Sequence, residues 1–294
     1  MSNSLSRRQI IKTGLLTALG SAFLREGFSS PMMGQPDTSD PDSSWHNFKV
    51  GIASYSFRKL SLDDTIKALK RLNLRYISVK DFHLALNSST AERQAAMQKL
   101  KDAGITPLSC GNITMQNDEK NIRQAFDYAK DCGMPTIVCS PHPDSMPILD
   151  KMVKEYDIKL AIHNHGPEDK RFPGPYDVMK AVEGFDQRIG LCIDVGHTTR
   201  AKVNAAEAIV KCKKRLYDLH FKDINSAEPN GTTIEAGRGV LDLPAIVHAL
   251  KKINYGGLVG IEFEGWENDP LPAVAETVGY AKALFTDGKA RKKR

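Results

Sequence analysis

Eight short apolar segments alternate with amphipathic helical stretches through most of this chain, and few folds accommodate such a pattern. Between the segments, apolar residues recur at helical spacing, as in Leu62, Ile66 and Leu69, and start signals such as Ser61 and Ser89 precede the helical stretches. Parallel strands need helical crossovers of this kind, so the pattern predicts an α/β fold, a single-domain (β/α)8 TIM barrel. The predicted strands are Lys49–Phe57, Tyr76–Phe82, Thr106–Ile113, Thr136–His142, Lys159–Gly166, Ile189–His197, Arg215–Asp223 and Leu258–Gly265.

The barrel is predicted to occupy residues 47–286, which is a typical length for this fold. An open, doubly wound sheet would also alternate strands and helices, but no glycine-rich phosphate loop follows the first predicted strand. A stretch rich in Ser, Pro and Asp predicts a flexible linker over residues 29–46, and residues 287–294 form a basic tail.

Residues 1–28 resemble a twin-arginine export signal. Arg7 and Arg8 are followed by Lys12 and by the uncharged stretch Thr13–Leu24, which is too short to span a bilayer comfortably. The resemblance implies the twin-arginine export machinery as a partner and the periplasm as the location. Because this route carries folded proteins, often with a metal or cofactor already bound, it also hints at a bound metal.

The net charge of +6 arises at the two ends of the chain, in residues 1–26 and 289–294. The body between them is close to neutral, which argues against a nucleic-acid partner, since gripping a phosphate backbone needs a clustered basic surface. The five cysteines are odd in number and lack CxxC spacing, so they predict buried free thiols and neither a zinc knuckle nor a disulfide framework.

Polar side chains accumulate at the carboxyl ends of the predicted strands, where TIM barrels place their active sites. Side chains alternate along a strand, and one choice of parity turns a polar residue inward from each of the last four strands. Two imidazoles and two carboxylates make a mixed site that a divalent ion such as manganese, zinc or cobalt accepts. One such residue alone more often caps a strand, but four together favour a metal site. The four are His163, Asp194, His220 and Glu262.

Four segments at these strand ends resemble the xylose isomerase-like sugar isomerase and epimerase superfamily, in the branch called sugar phosphate isomerase/epimerase. The similarity extends from Lys49 to about Leu284. The segments that carry it are Leu160–Gly166, Gly190–His197, Leu219–Asp223 and Gly257–Glu262.

The resemblance implies one divalent metal ion, manganese first and zinc or cobalt next, bound by His163, Asp194, His220 and Glu262. It further implies that His197 and Lys222 lie close to a carbohydrate substrate. Many epimerases of this family carry a glutamate at the position of His163, and there two metal-bound glutamates exchange protons on opposite faces of the substrate. With a histidine at position 163, Glu262 has no second glutamate with which to exchange protons. Proton abstraction next to a carbonyl, with a metal-stabilised enediolate, remains compatible with the residues present.

Three residues are candidates for the catalytic base: Glu262, His165 and Lys80. His165 shares its parity with His163 and has a suitable ordinary pKa, whereas a lysine must be desolvated or placed beside another cation to act as a base. Lys80 is equally well explained as a solvated residue at a strand end.

Further residues near the strand ends are candidates for substrate contact. His83 follows the second predicted strand, and Trp266 follows the eighth as a possible stacking surface. Arg238 lies in the longest connection, Ser226–Gly239, where it would meet a polyhydroxylated or anionic substrate or simply clamp the loop.

The leading functional hypothesis is a metal-dependent sugar or keto-sugar isomerase or epimerase. The second hypothesis keeps the site but changes the outcome to a lyase or hydratase acting on 3-keto-glycosides. An endonuclease-like metallohydrolase is a minor alternative, since the chain lacks the further Asp-x-His motif and the basic body that it would need. A non-catalytic sugar-binding protein is the alternative from another class. The pattern specifies neither the sugar nor the oligomeric state.

Overall fold

The computed structural model describes residues 45–266 and 268–286, and in that part of the chain eight parallel strands close into a barrel. The barrel strands are β1 Lys49–Ala53, β2 Tyr76–Val79, β3 Thr106–Met115, β4 Thr136–Pro141, β5 Lys159–His163, β6 Ile189–Asp194, β7 Leu216–Phe221 and β10 Leu258–Ile261. Each strand pairs with the next barrel strand along the chain, and β10 pairs with β1 to complete the ring. The predicted (β/α)8 TIM barrel is confirmed.

Helices cross between the strands, and their starts agree with the sequence signals. The Ser61 hydroxyl accepts a hydrogen bond from the Asp64 backbone N–H, and Ser89 forms a capping box with Glu92. None of the helices in the described ranges has the length and hydropathy needed to cross a membrane. They are α1 Leu62–Arg71, α2 Thr90–Asp102, α3 Glu119–Asp131, α4 Met146–Tyr156, α5 Pro175–Ala181, α6 Val195–Arg200, α7 Ala205–Cys212, α8 Leu243–Lys252 and α9 Leu271–Thr286.

Most barrel strands end earlier than the apolar segments predict. β1 stops at Ala53, and the next four residues form a 3-10 turn. β6 stops at Asp194, because its Oδ1 atom accepts a 2.8 Å hydrogen bond from the His197 backbone N–H and starts α6. Apolar content does not distinguish a buried strand from the buried first turn of a helix, so these predicted strands were too long. The third strand is the exception, because β3 continues to Met115, beyond its predicted end at Ile113.

The connection after β7 contains a short hairpin that the sequence did not indicate, β8 Asp223–Ile224 paired antiparallel with β9 Thr233–Ile234. The buried Asp223 carboxylate holds the loop that follows. Its Oδ2 accepts hydrogen bonds from the backbone N–H groups of Gly237 and Gly239 at 2.9 and 3.0 Å, and its Oδ1 accepts one from Leu241 at 3.1 Å. The end of the seventh predicted strand is therefore a loop anchor beside the barrel mouth.

The described residues begin inside the predicted linker. Trp45 is buried there, with its ring centroid 6.2 Å from that of Phe285 on α9, and Phe48 lies against the same ring at 4.9 Å. The linker therefore gives way to packed structure before residue 47. The twin-arginine segment 1–28, most of the linker and the tail 287–294 lie outside the described residues.

Small buried side chains fill the barrel below its mouth, where Val138, Ala161 and Cys192 form a cluster. The buried Asp218 lies beside them, with Oδ1 3.9 Å from the Cys192 sulfur. Burial raises the pKa of Asp218 to about 6. All five cysteines are buried free thiols.

Replacing Asp223 with alanine is expected to lower the free energy of unfolding by about 3 kcal/mol, because several backbone N–H groups lose a buried acceptor. Chemical denaturation of the variant measures this loss. Glu228→Ala in the same loop is the control, since its ion pair with Lys202 is exposed and is expected to contribute less than about 1 kcal/mol. Equal stability of the two variants would contradict the anchor role.

Candidate active site

Four polar side chains from neighbouring strands meet at the carboxyl end of the barrel. One nitrogen or oxygen of each lies within 4.8 Å of those of the others, and all four side chains are buried. Within the group, His220 Nδ1 lies 3.0 Å from both His163 Nε2 and Glu262 Oε2. Asp194 Oδ2 lies 3.6 Å from His163 Nε2. We call the four residues the mouth cluster: His163, Asp194, His220 and Glu262.

The strand register explains why these residues meet. Asp194 is directly opposite His220 in the β6–β7 pair, and the Glu262 backbone N–H bonds to the Phe221 carbonyl at the end of β7. Asn164, which sequence reasoning missed, connects β5 to β6 because its Oδ1 accepts a 3.0 Å hydrogen bond from the Asp194 backbone N–H. The barrel therefore fixes the separation of the donor atoms.

The mouth cluster fits a divalent metal ion. Asp194 Oδ2 is buried and makes no well-aligned hydrogen bond to the described residues, although Lys222 Nζ lies 2.9 Å from it as a counter-charge. A buried carboxylate oxygen is costly unless a cation or a donor compensates it. Two imidazole nitrogens and two carboxylate oxygens suit zinc, manganese or cobalt, so the donor set admits an ion without selecting one.

Lys222 lies beside the mouth cluster as a buried cation. Its Nζ lies 2.9 Å from Asp194 Oδ2 and 2.7 Å from Glu262 Oε2, and it also forms an ion pair with Glu264. Burial alone would lower the pKa of Lys222, but the three carboxylates outweigh it and hold that pKa well above its ordinary value. The ammonium group is therefore a permanent counter-charge.

Burial sets the charge of the two histidines at the end of β5. It lowers the pKa of His163 to about 4 and that of His165 to about 4, so both rings are neutral near pH 7. A neutral imidazole can bind a metal ion or accept a proton. Burial would likewise lower the pKa of His220, but the Glu262 carboxylate raises it well above the ordinary value.

A cavity of about 340 Å³ opens above the mouth cluster. The rings of His163 and His165 face it with their Nδ1 atoms 3.4 Å apart, and Ser140 Oγ lies 3.4 Å from His165 Nδ1. Two side chains of β3 that sequence reasoning missed, Asn112 and Thr114, also line it, and their i, i+2 spacing on one strand face was the available signal. The lining residues are Tyr55, Lys80, Asn112, Thr114, His163, His165, His197, His220, Glu262 and Glu264.

Lys80 and His197, two further residues predicted for the site, line this cavity. Lys80 Nζ lies 2.8 Å from Asp81 Oδ1 and donates a 2.8 Å hydrogen bond to the Asn112 carbonyl. His197 has Nδ1 2.9 Å from the Arg200 guanidinium. Arg200, one helical turn along α6, was not recognised in the sequence.

The remaining predicted contacts lie elsewhere. The structure places His83 outside the cavity lining, where its buried ring bonds to Ser54, Thr65 and the Phe57 carbonyl. Arg238 forms a two-point ion pair with Glu276 on α9, the loop-clamping arrangement that the sequence left open. Lys222 and Trp266 line a neighbouring compartment. Position in the sequence, at a strand end for His83 and in a loop for Arg238, does not determine which direction the side chain takes.

The chain matches a known protein family over most of its length. The model described as the xylose isomerase-like TIM barrel matches residues 54–284, and the chain belongs to that family. The rhizopine catabolism protein MocC of Rhizobium meliloti is 25% identical over 147 residues. That match covers 45% of this chain and 45% of MocC, so the chain spans less than half the length of this relative.

Solved structures show the same fold at low sequence identity. The 3-keto-D-glucoside 4-epimerase YcjR from E. coli has a TM-score of 0.66 and 16% identity, covering 80% of this chain and 99% of that one. An L-ribulose 3-epimerase has a TM-score of 0.66 and 15% identity, covering 81% and 94%. The IolI protein, whose structure contains a zinc atom, has a TM-score of 0.66 and 17% identity, covering 81% and 98%.

Replacing Lys222 with methionine is expected to destabilise the metal-free protein by about 3–5 kcal/mol, since Asp194 and Glu262 lose their buried counter-charge. Denaturation in the presence of a chelator measures the loss. Lys202→Met is the control, because that lysine forms an exposed ion pair and its replacement should change stability little. A Lys222→Met protein as stable as the parent would refute this electrostatic account.

Proposed function

We propose that this protein is a metal-dependent enzyme that removes a proton next to the carbonyl of a sugar or keto-sugar and thereby isomerises or epimerises it. The mouth cluster carries the proposal, because two imidazoles and two carboxylates lie within 4.8 Å of one another below a cavity of sugar-ring size. The names of YcjR and the L-ribulose 3-epimerase, which share this fold, support a carbohydrate substrate.

The mouth cluster would hold one divalent ion, with manganese as our first choice and zinc or cobalt next. When bound, the ion would polarise the substrate carbonyl and offset the negative charge that develops on its oxygen. The ion would face the cavity, because His163, His220 and Glu262 line it while Asp194 is fully buried beneath them.

His165 is the favoured proton acceptor. Its ring lines the cavity, is neutral because burial lowers its pKa to about 4, and keeps 39% of its side-chain surface exposed. Asp169 Oδ2, 3.9 Å from His165 Nδ1, would stabilise the imidazolium formed when the proton is taken. Glu262 is less available, because His220 and Lys222 both contact its Oε2 atom. Lys80, paired with Asp81, would instead donate to a substrate oxygen.

A lyase acting on 3-keto-glycosides is the second candidate, and the lining of the cavity favours it. Glu262 and Glu264 are the carboxylates among the described residues that line it, and Glu264 is paired with Lys222. Many epimerases of the family that the sequence resembles carry a glutamate at the position of His163, so this chain would lack their exchange of protons between two metal-bound glutamates. An elimination needs one base and one proton donor to the departing oxygen, which His165 and Lys80 would supply.

Exchange of substrate protons with solvent tests the proposal. A keto-sugar incubated with the enzyme in D2O should take up deuterium next to its carbonyl, and His165→Gln should slow that uptake by about 10²–10⁴-fold. NMR measures the exchange and also separates an interconverted sugar from a released aglycone. His142→Gln, at an exposed histidine, should exchange at the parental rate. Unchanged exchange in the His165 variant would exclude it as the base.

Metal binding gives a separate test. The purified protein should contain about one equivalent of a divalent ion, and His220→Ala should lose most of it because one nitrogen ligand is removed. Elemental analysis after gel filtration measures the content, and His142→Ala should retain it. If neither protein contained metal and the His220 variant kept the parental sugar affinity, a non-catalytic sugar-binding protein would become the better description.

We also propose that the twin-arginine segment, outside the described residues, directs export to the periplasm. Replacing Arg7 and Arg8 with lysine should leave the protein in the cytoplasm, because that pathway reads the arginine pair. Fractionation with immunoblotting follows the protein, and Lys12→Arg serves as the charge-conserving control. Periplasmic accumulation of the double variant would exclude this route.

A further inference from the structure

We call the 340 Å³ cavity above the mouth cluster the catalytic cavity. A second compartment of about 570 Å³ adjoins it, and His197 and Glu264 line both. We call it the side compartment. The side compartment is the larger of the two. The combined volume of the two spaces is close to the upper end of the range of about 300–1,000 Å³ found for small-molecule pockets. One sugar ring in the catalytic cavity would leave the side compartment empty.

The walls of the side compartment are fixed by hydrogen bonds. Arg200 donates from Nε to the Pro229 carbonyl at 2.9 Å and pairs with Glu168 at 2.6 Å. The Thr232 backbone N–H and hydroxyl both bond to the Asn225 side chain, at 2.9 and 3.0 Å. The β8–β9 hairpin supports the same wall. The compartment is therefore a built feature of the loops and not a packing gap.

The lining combines one large aromatic face with several small polar groups. Trp266 is 68% exposed at the rim, and its φ of 48° is a backbone conformation that residues other than glycine rarely adopt. Asn230 and Thr232 are exposed and Thr233 is half-buried, so their amide and hydroxyl groups are accessible. An aromatic face packs against the C–H face of a sugar ring, while amides and hydroxyls bond to its hydroxyl groups.

The charges in the side compartment argue against a phosphate group as its occupant. Lys222 is neutralised by Asp194, Glu262 and Glu264, and Arg200 is paired with Glu168. Neither cation is left to balance a dianion, and the lining carries the Glu264 carboxylate as well. A neutral polyhydroxylated ring suits this wall better than an anion.

We propose that the side compartment binds a second ring of the substrate, so that the substrate is a glycoside of at least two sugar rings. The reacting ring occupies the catalytic cavity, and the glycosidic oxygen lies between His197 and Glu264, where the two spaces meet. This assignment rests on the proposed function and names its substrate class. It makes Trp266 a specificity-determining residue.

The chain contains its own probe for this site. It has two tryptophans, and Trp45 is buried in the hydrophobic core against Phe285. A sugar ring that covers Trp266 should therefore shift the emission of one exposed indole to shorter wavelength while Trp45 emits as before. Trp45→Phe should keep this response, and Trp266→Phe should lose most of the signal.

The deciding experiment titrates the purified protein with cellobiose, maltose and trehalose, and with glucose as the single-ring reference. At least one disaccharide should shift the emission and bind at least about tenfold more tightly than glucose by calorimetry. Trp266→Ala should bring the two affinities within about twofold. Tyr176→Ala, which removes an exposed aromatic on α5, should keep the preference.

Equal binding of one and two rings, with no effect of Trp266→Ala, would overturn the side-compartment assignment even if solvent-proton exchange were observed. Absence of exchange with any keto-sugar would instead overturn the proposed function, while the binding preference would still decide whether the side compartment holds a ring. The two failures are therefore distinguishable.

Discussion

The compensation of two buried carboxylates at the barrel mouth is the interaction on which the proposed chemistry depends. Asp194 and Glu262 are almost completely removed from solvent, and an uncompensated charge in that position would cost several kcal/mol. Lys222 contacts both, and the imidazole of His220 approaches Glu262. The pKa values of the two carboxyl groups, which burial alone would raise, are consequently held well below their ordinary range. They remain charged and able to bind a cation.

The register of the barrel strands, and not the local sequence, brings the compensating charges together. The Asp194–His220 pairing across β6 and β7 brings together residues that are far apart in the chain, while Asn164 holds the end of β6 beside β5. The same carboxylate that contributes Oδ2 to the mouth cluster uses Oδ1 to start α6. Asp194 thus ends β6, begins α6 and supplies a candidate metal ligand. This explains why β6 is shorter than the apolar segment that predicted it.

The sequence predicted the barrel and the four members of the mouth cluster, because the hydrophobic period and the strand parity are local quantities. The directions of side chains in the loops could not be predicted in the same way. Arg238 turns to Glu276, and Asp223 binds backbone N–H groups of a later loop, because long-range contacts select those orientations. The polar pair on β3, Asn112 and Thr114, follows the same parity rule, which the sequence prediction applied only to the last four strands.

The histidine at position 163 is best understood together with Glu264. A neutral His163 removes one negative charge relative to a carboxylate at that place, since burial lowers its pKa to about 4. Glu264 restores a third carboxylate, but through Lys222 and at the wall shared by the two compartments. Three carboxylates then face one ammonium group, and a divalent cation in the mouth cluster would bring the set to neutrality. The third carboxylate thus lies at the wall shared by the two compartments and not in the mouth cluster, so the proposed proton transfer requires a base other than a second glutamate bound to the metal.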